Sequence, residues 1–150
     1  MIHNETYQDI QILQGHNFEN IVTFDSTHIM SATMSYVAII VKDKSRSTFT
    51  GPKKTTGTLG TRGGSDAWQS NDSITAIHCD IVADRSENTV NIKLPAEATQ
   101  HFTDSFEGYW ELLEKDTSTD PDTYVRQIQG DVVISNAATS LTDTFTTSVA

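Results

Sequence analysis

Short stretches in which apolar and polar residues alternate recur along the chain, and this alternation constrains the fold more than any other feature. Val90, Ile92 and Leu94 alternate with polar neighbours, and the segment around Trp110 has the same period of two. Such a period places one face of a strand against a core and the other in water. Thr is the commonest residue, at 22 of 150, and β-branched side chains favour strands over helices. The sequence therefore predicts an all-β protein.

Seven segments of this kind are predicted to be strands, and they span residues 7–13, 16–24, 33–42, 73–84, 88–94, 108–115 and 123–134. The polar links between them are short and include tight turns at Gln14-Gly15 and near Asn88, which favours antiparallel pairing. Pro95 to Phe102 predicts about one helical turn that begins at the proline. About seven antiparallel strands in one domain, residues 1–135, are typical of a β-sandwich.

Residues 45–72 break the alternation and are predicted to form one long loop. This stretch contains five glycines, and its large apolar residues are Phe49, Leu59 and Trp68. Loops of this length are uncommon in compact domains and are usually functional or disordered. Residues 42–62 also hold six of the ten basic residues of a chain whose net charge is -10.

Two interpretations of this basic loop stay open. It is either a solvated, mobile excursion or a docking arm that becomes ordered against an acidic neighbour, such as another copy of the chain. In the second case its aromatic residues would serve as apolar anchors. The residues predicted to dock a partner are Lys44, Arg46, Phe49, Lys53, Lys54, Arg62 and Trp68.

Composition excludes several classes of protein. A net charge of -10 is the wrong sign for a protein that neutralises nucleic-acid phosphates. No apolar run approaches the roughly 18 residues of a membrane span. Cys79 is the single cysteine, so an internal disulfide and a cysteine-based zinc site are excluded. The first residues lack the features of a signal peptide, which predicts synthesis in a cytoplasm.

No motif predicts a catalytic site, a cofactor or a metal. His78 and Asp80 would share one face of a strand, where a polar outer face is the simpler interpretation. Asp116, Asp120 and Asp122 lack the spacing of a calcium loop and are predicted to form a solvated acidic turn. No G-x-S-x-G elbow surrounds any serine, so a small hydrolase is disfavoured. The protein is predicted not to be an enzyme.

The aromatic residues Trp68, Tyr109 and Trp110 are candidates for a platform on which a sugar stacks. Tyr109 and Trp110 are adjacent on one predicted strand, so they face opposite sides of the sheet. Trp110 is predicted to lie in the core together with Ile92, and Cys79 is predicted to face the core as a small apolar residue.

The order of six segments resembles a known family. These segments are residues 10–18 (IQILQGHNF), 23–30 (TFDSTHIM), 34–42 (MSYVAIIVK), 92–99 (IKLPAEAT), 108–112 (GYWEL) and 125–134 (VRQIQGDVVI). In this order they resemble the immunoglobulin-like β-sandwich of tailed-bacteriophage structural proteins. The likeness is to the N-terminal adaptor domain of baseplate upper proteins and tail-fibre attachment proteins, and it covers about residues 8–135. The chain departs from the family in its longer loop 45–72 and in its polar, Thr-rich tail, residues 136–150.

The resemblance implies a virion structural protein, an adaptor module in the tail, baseplate or neck that assembles in symmetric copies. Its implied partners are other virion proteins and copies of itself, with no nucleic acid, membrane or cofactor. A capsid decoration (cement) protein and a carbohydrate-binding module are the alternative functions.

Overall fold

The computed structural model describes residues 6–55, 67–103, 105–135 and 144–149, and these residues form twelve strands and one short helix, α1 (Ala96–Thr99). The prediction of an all-β protein is confirmed. Strand bounds are β1 (Thr6–Tyr7), β2 (Ile10–Leu13), β3 (Phe18–Phe24), β4 (Met34–Val41), β5 (Phe49–Thr55), β6 (Ala67–Ile74), β7 (Ile77–His78), β8 (Asp80–Asp84), β9 (Thr89–Leu94), β10 (Phe106–Asp116), β11 (Thr123–Ser135) and β12 (Thr144–Val149).

The two larger sheets are mixed rather than purely antiparallel. The first has the order β1-β11-β10-β4-β7, with β2 following β1 along the same edge of β11, and the second has the order β12-β3-β9-β8. β1 and β2 run parallel to β11, and β12 runs parallel to β3. The prediction of antiparallel pairing is therefore wrong at these edges. Short hairpin links enforce antiparallel pairing, and no such link joins these strands to their partners.

One hydrophobic core connects all of the sheets. Alternate residues of β3 and β10 face it, including Phe18 and Trp110, and the rings of Phe24 and Tyr36 meet across it with their centroids 5.8 Å apart. Trp110 and Ile92 expose only 2% and 1% of their surface, so their predicted place in the core is confirmed. This burial supplies the main stabilisation of the fold.

The predicted turns are present, and the single helical turn begins one residue later than predicted. Gly15 and Asn88 both have positive φ angles, of 79° and 59°, as the two tight turns require. Pro95 precedes the helix in an extended conformation instead of forming its first residue. The helical turn itself lies within the predicted segment.

Residues 73–84 were expected to form one strand, and that prediction is wrong. The segment contains the end of β6, then β7 and then β8, and each of these strands belongs to a different sheet. Ile74 and Ile77 are both buried on either side of the first break. Because apolar residues recur across the breaks, the sequence pattern resembles that of one continuous strand.

The prediction of an irregular loop over 45–72 is wrong for most of its described residues. β5 and β6 pair as an antiparallel hairpin that forms a two-stranded sheet of its own. Phe49, Trp68 and Ile74 are buried and join this hairpin to the core. Arg62 and Leu59 lie outside the described residues.

The described part of the C-terminal tail also joins a sheet. β12 pairs along the whole of β3, and the Phe145 ring lies 5.9 Å from that of Phe18 between centroids. The Thr147 hydroxyl donates to Asn20 Oδ1 at 2.9 Å, and both residues are buried. Among the described residues, no helix is long and apolar enough to cross a membrane.

Candidate functional site

A cavity of about 740 Å³ opens on the outer face of the first sheet, and we call it the outer groove. Its floor consists of two rows of paired residues that cross the strands. One row runs from Tyr7 at the rim through Gln129 and Glu111 to Ile39, and the other is Asp131, Tyr109 and Val41. The pleat of neighbouring strands places paired residues on the same face, so pairing rather than sequence proximity builds this site.

Three cations line the outer groove, and each lies close to a partner across it. Lys44 Nζ lies 4.8 Å from the centre of the Tyr109 ring. Arg46 and Arg126 lie on either side of Glu111, with nitrogen-to-oxygen distances of 3.6 Å and 3.5 Å to its two carboxylate oxygens. Two of the predicted docking residues, Lys44 and Arg46, are thus brought together here.

A turn built on Asp43 positions Arg46. Asp43 Oδ1 accepts hydrogen bonds from the Ser45 hydroxyl at 2.6 Å and from the backbone N–H groups of Ser45 and Ser47 at 3.0 Å and 3.2 Å. Arg46 has a φ of 57°, a conformation that is uncommon for a residue other than glycine. The hydroxyls of Ser45 and then Ser47 lower the pKa of Asp43 to about 2. The turn therefore keeps its central charge at neutral pH.

An interruption between β1 and β2 forms the opposite rim. The Gln8 carbonyl turns inward and accepts a 2.7 Å hydrogen bond from the Trp110 indole N–H, while Asp9 Oδ1 accepts from the backbone N–H of Asp131 at 3.1 Å. A Cβ on Gly130 would lie 1.9 Å from the Gln8 oxygen, so only glycine permits this approach. The rim that carries Tyr7 and Asp9 is consequently fixed to the core through Trp110.

The hairpin β5–β6, which we call the basic hairpin, holds the other described docking residues. Lys53 is exposed, and Lys54 Nζ contacts Asp80 Oδ1 at 2.9 Å and lies 5.7 Å from the centre of the Trp68 ring. Phe49 and Trp68 each expose 8% of their surface and belong to the core of this chain. Their predicted role as exposed anchors for a partner is wrong, because their apolar surface is already buried.

The weaker candidates from the sequence do not converge on a metal site. His78 and Asp80 lie on strands of different sheets, and Asp80 pairs with Lys54. Asp116 accepts from the Ser118 N–H and the Thr33 hydroxyl, and Asp122 contacts Lys115 Nζ at 3.4 Å. Within the part of the chain that the structure describes, no three His, Cys, Asp or Glu side chains are grouped to hold a metal ion.

The single thiol is partly buried against the core. Cys79 lies between β7 and β8, and its backbone N–H donates to the Ala38 carbonyl at 3.0 Å. Burial, and then the nearby charge of Asp80, raise the pKa of the Cys79 thiol to about 12. Since the thiolate is the reactive form, this side chain acts as a small apolar residue at neutral pH.

A buried polar cluster around Glu114 was not predicted. Its carboxylate accepts from the Tyr36 hydroxyl at 2.7 Å and contacts His28 Nε2 at 2.6 Å and Gln127 Nε2 at 3.4 Å. A bulge between Leu112 and Leu113 inserts Gln127 as an extra residue in β11 and turns it inward. Burial, and then Glu114, raise the pKa of Tyr36 above its usual value. The cluster joins the link between β3 and β4 to the sheet, which is a structural role.

Most residues of the outer groove carry no local signal in the sequence. Tyr7 and Arg126 are far apart in the chain, and they meet only because β1 runs parallel to β11. Tyr109 was considered as a sugar platform, but its partners were not. In comparisons with known proteins, no family model, no curated protein and no solved structure matches this chain.

Proposed function

We propose that the protein is a structural component of a bacteriophage particle, an immunoglobulin-like adaptor in the tail, baseplate or neck that docks neighbouring virion proteins and copies of itself. The order of strands supports this finer description of the fold. β3, β9 and β8 follow the order of strands B, E and D of an immunoglobulin sandwich, while β11, β10 and β4 follow G, F and C. β12 then occupies the place beside β3 that strand A takes in that fold.

The basic hairpin is the observation that carries the docking proposal. Among the described residues its two strands pair only with each other, so both outer edges can accept a strand or side chains from a neighbour. It presents Lys53 and Lys54 on a chain with a net charge of -10. An acidic surface on a second copy would therefore be attracted to it, and head-to-tail contacts of this kind form a ring when the rotation between copies closes.

The burial of Phe49 and Trp68 changes what this docking requires. A hairpin that its own core residues hold in place loses little conformational entropy when it binds, and pre-organisation of this kind favours association. The lysines contribute electrostatic attraction. Exposed ion pairs individually stabilise a finished contact by only about 0–1 kcal/mol. We therefore expect the hairpin to select a partner and to accelerate association.

Incorporation into particles tests the proposal. The variant Lys53→Ser/Lys54→Ser is expressed together with an equal amount of the wild-type protein during phage assembly. Purified particles should then contain less variant than wild-type protein, as measured by mass spectrometry. Lys93→Ser/Lys115→Ser is the matched control, because it removes the same charge from half-exposed positions outside the hairpin. Equal incorporation of the hairpin variant and the control would contradict docking through the hairpin, and absence of the protein from particles would contradict the virion assignment.

A capsid decoration protein remains the second candidate because the same hairpin would clamp coat subunits. Density for the assembled particle separates the two functions by showing whether residues 49–55 and 67–74 contact a coat protein or a tail protein.

A further inference from the structure

The outer groove presents aromatic rings and planar polar groups to a ligand, but very little aliphatic surface. Tyr7 exposes 72% of its surface, whereas Ile39 and Val41 on the floor expose 5% and 8%. A docking peptide or helix gains affinity by removing apolar side chains from water. Floor residues that are already covered cannot supply that gain, so this site favours a different class of ligand.

The charges that line the groove also restrict the class of ligand. The groove is lined by three cations, Lys44, Arg46 and Arg126, and by three carboxylates, Asp9, Glu111 and Asp131. These charges balance locally, while the whole chain carries -10 and repels polyanions. The ligand that fits is therefore uncharged and polar.

Hydrogen-bond donors and acceptors stand side by side at the centre of the groove. The distance of 3.6 Å from Arg46 to Glu111 is longer than the roughly 2.7–2.9 Å of a charge-assisted hydrogen bond. A guanidinium has five N–H donors and a carboxylate has two acceptor oxygens, so this pair can also serve a ligand. Neighbouring hydroxyls of one sugar ring match such a pair, because each hydroxyl both donates and accepts.

The aromatic rings supply the apolar part of sugar recognition. Tyr109 is half-buried and Lys44 Nζ lies over its ring at 4.8 Å, so a sugar stacks on this ring after the exposed lysine moves aside. Tyr7 lies on the opposite rim of the groove. A cavity of about 740 Å³ is within the usual range for small-molecule sites, roughly 300–1,000 Å³.

We propose that the outer groove binds a neutral oligosaccharide, with sugar rings stacked on Tyr7 and Tyr109 and with their hydroxyls bonded to Glu111 and Arg46. This site goes beyond the proposed structural function and does not rest on it. The Asp43 turn fixes the backbone from which Arg46 extends before the ligand arrives, so the segment loses little backbone entropy on binding.

The test is an NMR titration of the ¹⁵N-labelled protein with neutral hexasaccharides of glucose (α-1,4 and β-1,4), mannose, galactose and N-acetylglucosamine. At least one should shift the amide signals of the outer groove. Tyr7→Ala should then weaken binding about tenfold, which equals 1.4 kcal/mol, whereas Tyr7→Phe should bind as the wild type does. Tyr124→Ala is the matched control, because Tyr124 is also exposed, at 57%, and does not line the groove.

Three results would overturn the inference. The first is that no hexasaccharide in the panel shifts the groove signals at a concentration of about 10 mM, well above the millimolar dissociation constants of weak ligands. The second is that Tyr7→Ala and Tyr124→Ala weaken binding equally while both variants keep the wild-type melting temperature. The third is that only acidic polysaccharides, with alginate as the probe, or another copy of the protein occupy the groove.

Discussion

The outer groove and the basic hairpin both contain aromatic residues and cations, but the two regions arrange them in opposite ways. In the hairpin, Phe49 and Trp68 face the core and the lysines face water. In the groove, Tyr7 and Tyr109 line the outer surface together with the cations. An aromatic ring inside stabilises the fold, whereas one outside is available to a ligand. We therefore expect the hairpin's charges and edges to serve the proposed protein docking, and the groove's rings to serve the proposed ligand stacking.

The largest expected effect on stability distinguishes two adjacent residues of β10. Trp110→Ala should lower the free energy of unfolding by about 3–5 kcal/mol, because it empties core volume and removes the hydrogen bond to Gln8. Tyr109→Ala should cost less, about 1 kcal/mol, since Tyr109 is only half-buried. Urea denaturation measures both. A loss below about 1 kcal/mol for Trp110→Ala would contradict its place in the core.

The second-largest loss of stability is expected for the aromatic residue Trp68 of the basic hairpin. Trp68→Ala is expected to cost about 3 kcal/mol, at the lower end for a buried aromatic, because Trp68 lies at the margin of the core. Tyr7→Ala should change stability by less than about 0.5 kcal/mol. Equal losses for Trp68→Ala and Tyr7→Ala in urea denaturation would remove the distinction between an inward and an outward aromatic.

The smallest effect concerns the turn beside the groove. The folded state lowers the pKa of Asp43 from 3.8 to about 2, so the turn keeps its full support above pH 3.8 and loses it as the pH falls through about 2. The amide signals of Ser45 and Ser47 should therefore titrate with a midpoint near pH 2 in NMR spectra. Asp43→Asn should abolish that titration. A midpoint at pH 3.8 or above would show that the hydrogen bonds do not hold the carboxylate.

Strands with one buried and one exposed face could be predicted from the sequence. Strands whose two faces do not differ in this way were missed. Val90, Ile92 and Leu94 alternate because β9 has a buried face, so this strand was predicted well. β5 contains Gly51 and Pro52, which are typical of turns rather than strands, and β6 is mostly polar because few of its residues are buried. Alternation has no reason to appear there.

The candidate site was harder to predict than the fold. Lys44 and Arg46 were identified because basic residues concentrate around them in the sequence. Tyr7 could not be identified, since the parallel pairing of β1 with β11 is what places it beside Gln129. Gly130 was a visible irregularity in its strand, yet its role depends on the approach of the Gln8 carbonyl from another strand.

The division of roles between the two regions can be tested directly by hydrogen exchange with mass spectrometry. The measurement compares peptides that contain residues 49–55, 67–74 and 106–111 in the free protein and in purified particles. This division of roles predicts that the two hairpin peptides exchange more slowly in particles, while the groove peptide 106–111 is unchanged until a neutral oligosaccharide is added. Unchanged exchange of the hairpin peptides on assembly, or protection of the groove peptide by assembly alone, would contradict it.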